Sequence, residues 1–180
     1  MKLALLNVLL GAVLVGQVFA GSPKFLMEPF DARKFQVGHT WWVDSFTQSI
    51  YGDADRCAHF IIKQKGSDFL LETQFISTDG ELTEIDLVVK EDSSHPARFF
   101  LEAGGATIME VGIVASDYDN WSVVWAQSNG NSAYHVVTTK PQNQEPFQAK
   151  LNEVFGKLGL SAADFKKVKN ENCQNTLKAD

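Results

Sequence analysis

The feature that most constrains this chain is a pattern repeated between Gly38 and Lys140. Short stretches alternate apolar and polar side chains, and clusters of Gly, Asp, Ser or Asn separate most of them. We therefore predict eight β-strands: Thr40–Phe46, Ala58–Lys65, Phe69–Ile76, Leu82–Lys90, Ala97–Ala103, Thr107–Ala115, Trp121–Gln127 and Ser132–Thr139. Such short connections make neighbouring strands antiparallel, because a parallel crossover needs about a dozen residues or more. A parallel βαβ sheet is excluded.

Several of these strands have one apolar and one polar face. In the second strand, Phe60 and Ile62 lie on the face opposite Lys63 and Lys65. A sheet of this kind must stack on a second sheet or close on itself, and closure also removes its exposed edges. We predict an all-β fold, an eight-stranded antiparallel up-and-down barrel. The apolar positions expected to line its lumen are Phe60, Ile62, Phe69, Leu71, Phe75, Phe99, Leu101, Met109, Val111 and Ile113.

Residues of the last two strands complete the predicted lumen. Trp125 and Tyr134 are included, although a one-residue change of register would turn both outward. His135 is placed on the inner face, where its imidazole either bonds a ligand carbonyl or carboxylate or satisfies a neighbouring group. His59 and His95 are expected to be solvated. The alternative for the whole lumen is that its side chains meet and leave no cavity, since small barrels are often fully packed.

A helical pattern follows Pro141. Apolar residues recur there at three- and four-residue steps, and they are Phe147, Leu151, Val154, Phe155 and Leu158. We predict one amphipathic helix that ends at Gly159 and covers the outside of the barrel. Ser161 and Asp164 form an acidic variant of the capping box for a second short turn. Before the first strand, the segment Pro29–Phe35 is expected to close one end of the barrel.

The first twenty residues have the pattern of a secretory signal peptide. Lys2 precedes an apolar run over Leu3–Val15, and Val18-Phe19-Ala20 fits a cleavage site, so the mature protein would begin at Gly21. The alternative is an uncleaved N-terminal anchor. We therefore divide the chain into a signal peptide, residues 1–20, and one barrel domain, residues 21–180. A secreted, extracellular location is expected.

The two cysteines are Cys57 and Cys173, and both lie in the exported part. An oxidising compartment lets them pair, and the bridge would close a loop of about 116 residues. The alternative is a reactive thiol, which would need a nearby base that the sequence does not reveal.

Charge and motifs exclude several function classes. The chain has 22 acidic and 16 basic residues and a net charge of −6, so it lacks the basic field that nucleic acid requires. The sequence contains neither a Gly-rich phosphate loop nor metal-ligand spacing among its histidines, and we predict no metal site. No Ser, His and acid arrangement can be assembled, and we do not expect an enzyme. Asn120 begins an Asn-Trp-Ser sequon and is a candidate glycosylation site.

Two stretches carry a family resemblance. The first, from Phe35 to Trp42, contains Gly38 and Trp41. The second is Ser116-Asp117-Tyr118-Asp119-Asn120-Trp121. Together with the eight strands and the helix, they resemble the lipocalin family, in which Gly-x-Trp opens the barrel and Thr-Asp-Tyr-x-x-Tyr joins the sixth and seventh strands. The spacing here is Gly-x-x-Trp, and Trp41 is assigned the role of the family's Trp.

A third family signature is a basic residue after the eighth strand that stacks on this Trp. Thr139 stands at that position and Lys140 is the nearest cation, so this third signature is degraded here. The two cysteines match the long bridge of many lipocalins.

The resemblance is nearest to the apolipoprotein D and invertebrate pigment-binding branch. It implies a carrier whose lumen holds a small hydrophobic ligand, such as a carotenoid, retinoid, bilin or fatty acid. No cofactor is required, although the ligand would be a chromophore if it is a carotenoid or bilin. We expect no integral membrane segment. The alternative function is a protein-interaction or signalling module, whose mouth loops Thr47–Arg56 and Glu91–His95 contact a receptor or a second copy of the chain.

Overall fold

The computed structural model describes residues 21–35, 38–48, 54–141 and 144–173, and at residues 54 and 55 it describes the backbone alone. The predicted signal peptide lies outside these residues. The strands and the helix are β1 (Thr40–Phe46), β2 (Ala54–Lys65), β3 (Asp68–Ser77), β4 (Leu82–Glu91), β5 (Arg98–Ala103), β6 (Ala106–Ser116), β7 (Trp121–Ser128), β8 (Asn131–Thr138), α1 (Gln148–Leu158) and β9 (Lys166–Lys167). Short 3-10 turns occupy Ala32–Lys34, Glu145–Phe147 and Ala162–Asp164. In the described parts of the chain, no helix has the length and hydrophobicity to cross a bilayer.

Strands β1 to β8 form a closed antiparallel barrel. Each strand pairs with the next one in sequence, and β1 pairs with both β2 and β8. Trp41 is opposite Phe60 on one side, and Val43 is opposite Val137 on the other. The short strand β9 then extends the sheet by pairing with the end of β1. The predicted barrel is confirmed.

The connections of this barrel alternate between two ends. The Ala32–Lys34 turn lies at the end that holds the β2–β3, β4–β5 and β6–β7 connections, because Phe30 stacks on Tyr118 of the β6–β7 connection. We call this the closed end and the other the open end. The prediction that Glu91–His95 shares the mouth with Thr47–Arg56 is wrong, since the β4–β5 and β1–β2 connections leave opposite ends of an up-and-down barrel. Residues 49–53 of the latter lie outside the described residues.

Helix α1 covers one outer side of the barrel. Its buried stripe is Leu151, Val154, Phe155 and Leu158, and it packs in one cluster with outward-facing residues of β6, β7 and β8. Gly159 ends the helix with a φ of 77°, a conformation that glycine adopts without strain. Trp125 and Tyr134 belong to this cluster. Their predicted place in the lumen is therefore wrong, because the register of β7 and β8 turns both side chains towards the helix.

The C-terminal tail is fixed to the barrel by the disulfide between Cys57 and Cys173. Trp42 and His59 lie beside it, with their ring centroids 4.8 Å apart. His59 is only 2% exposed, and its Nδ1 is 2.9 Å from the carbonyl oxygen of Cys57. The expectation that His59 is solvated is wrong, because the tail covers this outer face of β2. Burial lowers the pKa of His59 below its ordinary value.

The segment before the barrel contacts β6. The backbone N–H of Met27 donates to the carbonyl oxygen of Ile113 at 2.8 Å. Leu26 lies over Gly112, and a Cβ at that glycine would be 2.5 Å from Leu26 Cδ2. The absence of a side chain at Gly112 therefore lets this segment lie directly on the sheet.

Strand β5 is shorter than its neighbours. It pairs with β4 only from Val88 to Glu91. Among the described strands, none pairs with the β5 side of Leu82–Leu87, so this part of β4 is a sheet edge at the open end.

Candidate functional site

The barrel encloses a cavity of about 200 Å³. Most of its wall is apolar. The sequence predicted a hollow lumen and left a fully packed interior as the alternative, and the lumen is hollow. Nine residues that the sequence assigned to the lumen line it: Phe60, Ile62, Phe69, Leu71, Phe99, Leu101, Val111, Ile113 and His135. Their role in binding a ligand stays a prediction.

Phe75 and Met109 point into the barrel but do not line this cavity. Both are buried in the luminal core, at 4% and 6% exposure. Phe75 is close to the β3–β4 connection and Met109 is close to the β5–β6 connection, so they fill the interior towards the open end. The cavity accordingly lies nearer the closed end.

The closing segment forms part of the cavity wall, which sequence reasoning missed. Phe30, Ala32, Arg33 and Phe35 all line the cavity. Phe35 stacks on Trp41 with 4.9 Å between ring centroids. The aromatic residues of Pro29–Phe35 could have indicated this role in the cavity wall, but the segment was expected only to close one end of the barrel. Further lining residues that the sequence did not assign are Val43, Val89, Glu91, Val124, Ala126 and Val137.

Trp41 is fully buried beneath this closing segment, as expected for the residue assigned the family role. The third signature is degraded in the sequence, and within the described ranges the cation–π contacts lie elsewhere than at Trp41. Lys34 Nζ is 5.7 Å from the centroid of the Tyr118 ring, and Arg98 lies over Phe100. Lys140 is exposed.

The Ser116–Trp121 stretch ties the closed end together. The Asp117 carboxylate accepts hydrogen bonds from the backbone N–H groups of Asn120 and Trp121, at 2.8 and 3.0 Å. Burial opposes ionisation of Asp117, but these hydrogen bonds outweigh it and hold its pKa below the usual value. The hydroxyl of Tyr118 accepts from the backbone N–H of Asp31 at 3.0 Å and so anchors the closing segment. Asn120 is exposed, and its glycosylation stays a prediction.

Polar groups occupy two different positions in the cavity wall. Arg33 and Glu91 are at the closed end, where the Arg33 side chain is 89% exposed and pairs with Asp31 at 2.9 Å. His135 instead lies midway along β8 and is 3% exposed, with its ring centroid 6.1 Å from that of Phe46. Burial lowers the pKa of His135 from 6.5 to about 4, so its imidazole is neutral at neutral pH. Among the residues described, no group of three or more His, Cys, Asp or Glu could hold a metal ion.

No protein-family model and no curated protein matches this chain. Solved structures do resemble it. An allergen from cockroaches, Per a 4, superposes with a TM-score of 0.71 at 19% identity, over 86% of this chain and 96% of its own. Insecticyanin from the tobacco hornworm Manduca sexta superposes with a TM-score of 0.69 at 13% identity, over 86% and 87%. A biogenic amine-binding protein gives a TM-score of 0.65 at 16% identity, over 89% and 97%.

Proposed function

We propose that this chain, whose barrel has the lipocalin fold, is a secreted carrier that binds a small hydrophobic ligand in its lumen. The observation that supports this function is the apolar cavity inside the barrel. Binding would be driven by the removal of apolar area from water. Burial of about 300 Å² of ligand surface at about 25 cal/mol per Å² contributes about 7 kcal/mol, which corresponds to a micromolar Kd before the costs of ordering.

The size of the cavity narrows the ligand class. An engineered cavity of about 150 Å³ in another protein binds benzene, so a cavity of about 200 Å³ accommodates a molecule of one or two rings. Among the expected ligands, a long carotenoid or a bilin would require Phe75 and Met109 to move. The proposal therefore favours a compact ligand, and it assigns the barrel no catalysis.

Ligand titration tests this proposal directly. We expect the two-ring dye 1-aminonaphthalene to gain fluorescence anisotropy when it is added to the folded chain, because bound dye tumbles with the protein. The variants Ala126→Phe and Val124→Phe add a ring to the cavity wall and should abolish this gain. Ile108→Phe is the matched control, because Ile108 is 42% exposed in β6 and does not line the cavity. Dye binding that is absent from the folded wild type, or unchanged in both filled variants, would contradict the carrier function.

Secretion is a separate part of the proposal. The disulfide supports it, because such bridges persist in oxidising compartments. The full chain expressed in a eukaryotic secretory system should be recovered from the medium with Gly21 as its first residue, and N-terminal sequencing measures this. Recovery only from the cell pellet with residues 1–20 attached would instead favour an N-terminal anchor. A receptor or a second copy at the open-end loop stays a prediction.

A further inference from the structure

We propose that His135 is the polar anchor of the lumen and that it selects a neutral, compact ring ligand carrying one hydroxyl or carbonyl group. This inference rests on the proposed carrier function, and it specifies the chemistry of the cargo.

The position of His135 in the wall carries the argument. Of the three polar lining residues, Arg33 and Glu91 are exposed at the closed end, and His135 alone is buried. The register places it between Val124 of β7 and Phe46 of β1. Along β8, the next lining residue is Val137. Among the described residues that line the cavity, the imidazole is therefore the one polar side chain that a ligand group held away from the closed end can reach.

The charge state of His135 decides which polar group fits. A neutral imidazole carries one N–H donor and one acceptor nitrogen, so it accepts from a hydroxyl or donates to a carbonyl oxygen. Burial keeps it neutral in the ligand-free cavity, so a bound carboxylate would have to raise this pKa from about 4 at a cost to its own affinity. An ammonium group would meet no carboxylate at this depth, because Glu91 lies at the surface end of the cavity. Burial of either charge without a partner is costly. A charged ligand would have to direct its charge towards Arg33 and Glu91.

A pair of probes that differ by one hydroxyl measures this selectivity. The affinities of naphthalene and 2-naphthol are determined by displacement of 1-aminonaphthalene from the full chain. A hydrogen bond of ordinary net strength changes an affinity about three- to tenfold. We therefore expect His135→Leu to weaken 2-naphthol about three- to tenfold relative to naphthalene. Comparison of wild type and variant cancels the different solubilities of the two probes.

Control variants separate the effect of losing a polar group from the effect of changing the shape of the cavity. Val111→Ala enlarges the cavity and should change the affinities of both probes by the same factor. His135→Phe keeps a planar ring, and it replaces the leucine variant if that variant does not fold. His135→Gln returns a donor and an acceptor to the wall and should restore part of the preference for 2-naphthol.

The outcomes distinguish this inference from the proposed function. If the folded wild type binds neither probe nor the dye, the carrier function itself fails. If both probes bind and their affinity ratio is the same in His135→Leu, the inference is overturned while the carrier function stands. Tighter binding of 2-naphthoate than of 2-naphthol, lost in His135→Leu, would also overturn it, because the anchor would then bind an anion.

Discussion

Acidification should destabilise this protein through His135 before its carboxylates titrate. The side chain is held neutral inside the folded barrel and takes up a proton with an ordinary pKa of 6.5 once the chain unfolds. Between pH 6.5 and about pH 4 the unfolded state therefore binds more protons than the folded state. The contribution of His135 to stability is complete above pH 6.5 and is lost as the pH falls through this window.

The magnitude follows from the two pKa values. One pKa unit corresponds to about 1.4 kcal/mol, so the shift from 6.5 to about 4 represents about 3 kcal/mol below pH 4. About 2 kcal/mol of it should be lost between pH 7.5 and pH 5. His59 adds to the loss in the same direction, because burial lowers its pKa too. The lowered pKa values of Asp92 and Asp117 act at lower pH, since their stabilisation is lost only as the pH falls through about 4 and below.

Urea unfolding followed by tryptophan fluorescence at a series of pH values measures this contribution. The free energy of unfolding of the wild type should fall by about 2 kcal/mol or more between pH 7.5 and pH 5. In His135→Gln the fall should be smaller by about 2 kcal/mol, because the titrating group is gone. Val124→Ala, a lumen variant with no ionisable group, should keep the pH dependence of the wild type. Equal pH dependence in His135→Gln and wild type would refute the reasoning.

Two further predictions concern the attached segments. Replacement of both Cys57 and Cys173 by serine should lower the free energy of unfolding by about 5 kcal/mol, because the lost bridge closes a loop of 116 residues. Urea unfolding with and without reductant measures this loss, and equal stability would contradict it. Gly112→Val should lower the free energy of unfolding by about 1 to 3 kcal/mol, because the added side chain displaces Leu26. The loss should be smaller in a Leu26→Ala background, and additive effects in the double variant would contradict this contact.

The strands were predictable because alternation and turn residues carry the signal in this chain. Strand β1 agrees with its predicted bounds, and the others differ by at most a few residues at their ends. The two-residue strand β9 is too short to leave a periodic pattern. The alternation of connections between the two ends was also available from the strand order, and it would have placed Glu91–His95 at the closed end.

The sequence could not show which faces of β7 and β8 point into the lumen, and the reason is physical. Every residue of β8 after Asn131 is buried, because the lumen covers one face and α1 covers the other. A strand with two apolar environments loses the contrast that identifies its inner side, and Trp125 and Tyr134 were misplaced for this reason. The burial of His59 was missed for the same reason, because the C-terminal tail covers the outer face of β2 at this residue. The size and position of the cavity depend on how side chains fill space, which periodicity does not report.

The sheet edge at Leu82–Leu87 of β4 bears on how this chain behaves at high concentration. Unpaired backbone groups on a strand invite another strand to dock, and repeated docking leads to fibres or precipitate. Here the side chains at two alternate positions, Glu84 and Asp86, are acidic and exposed. Two such edges brought together would oppose like charges, which disfavours stacking of one molecule on the next. Self-association of this protein, where it occurs, should therefore use a different surface.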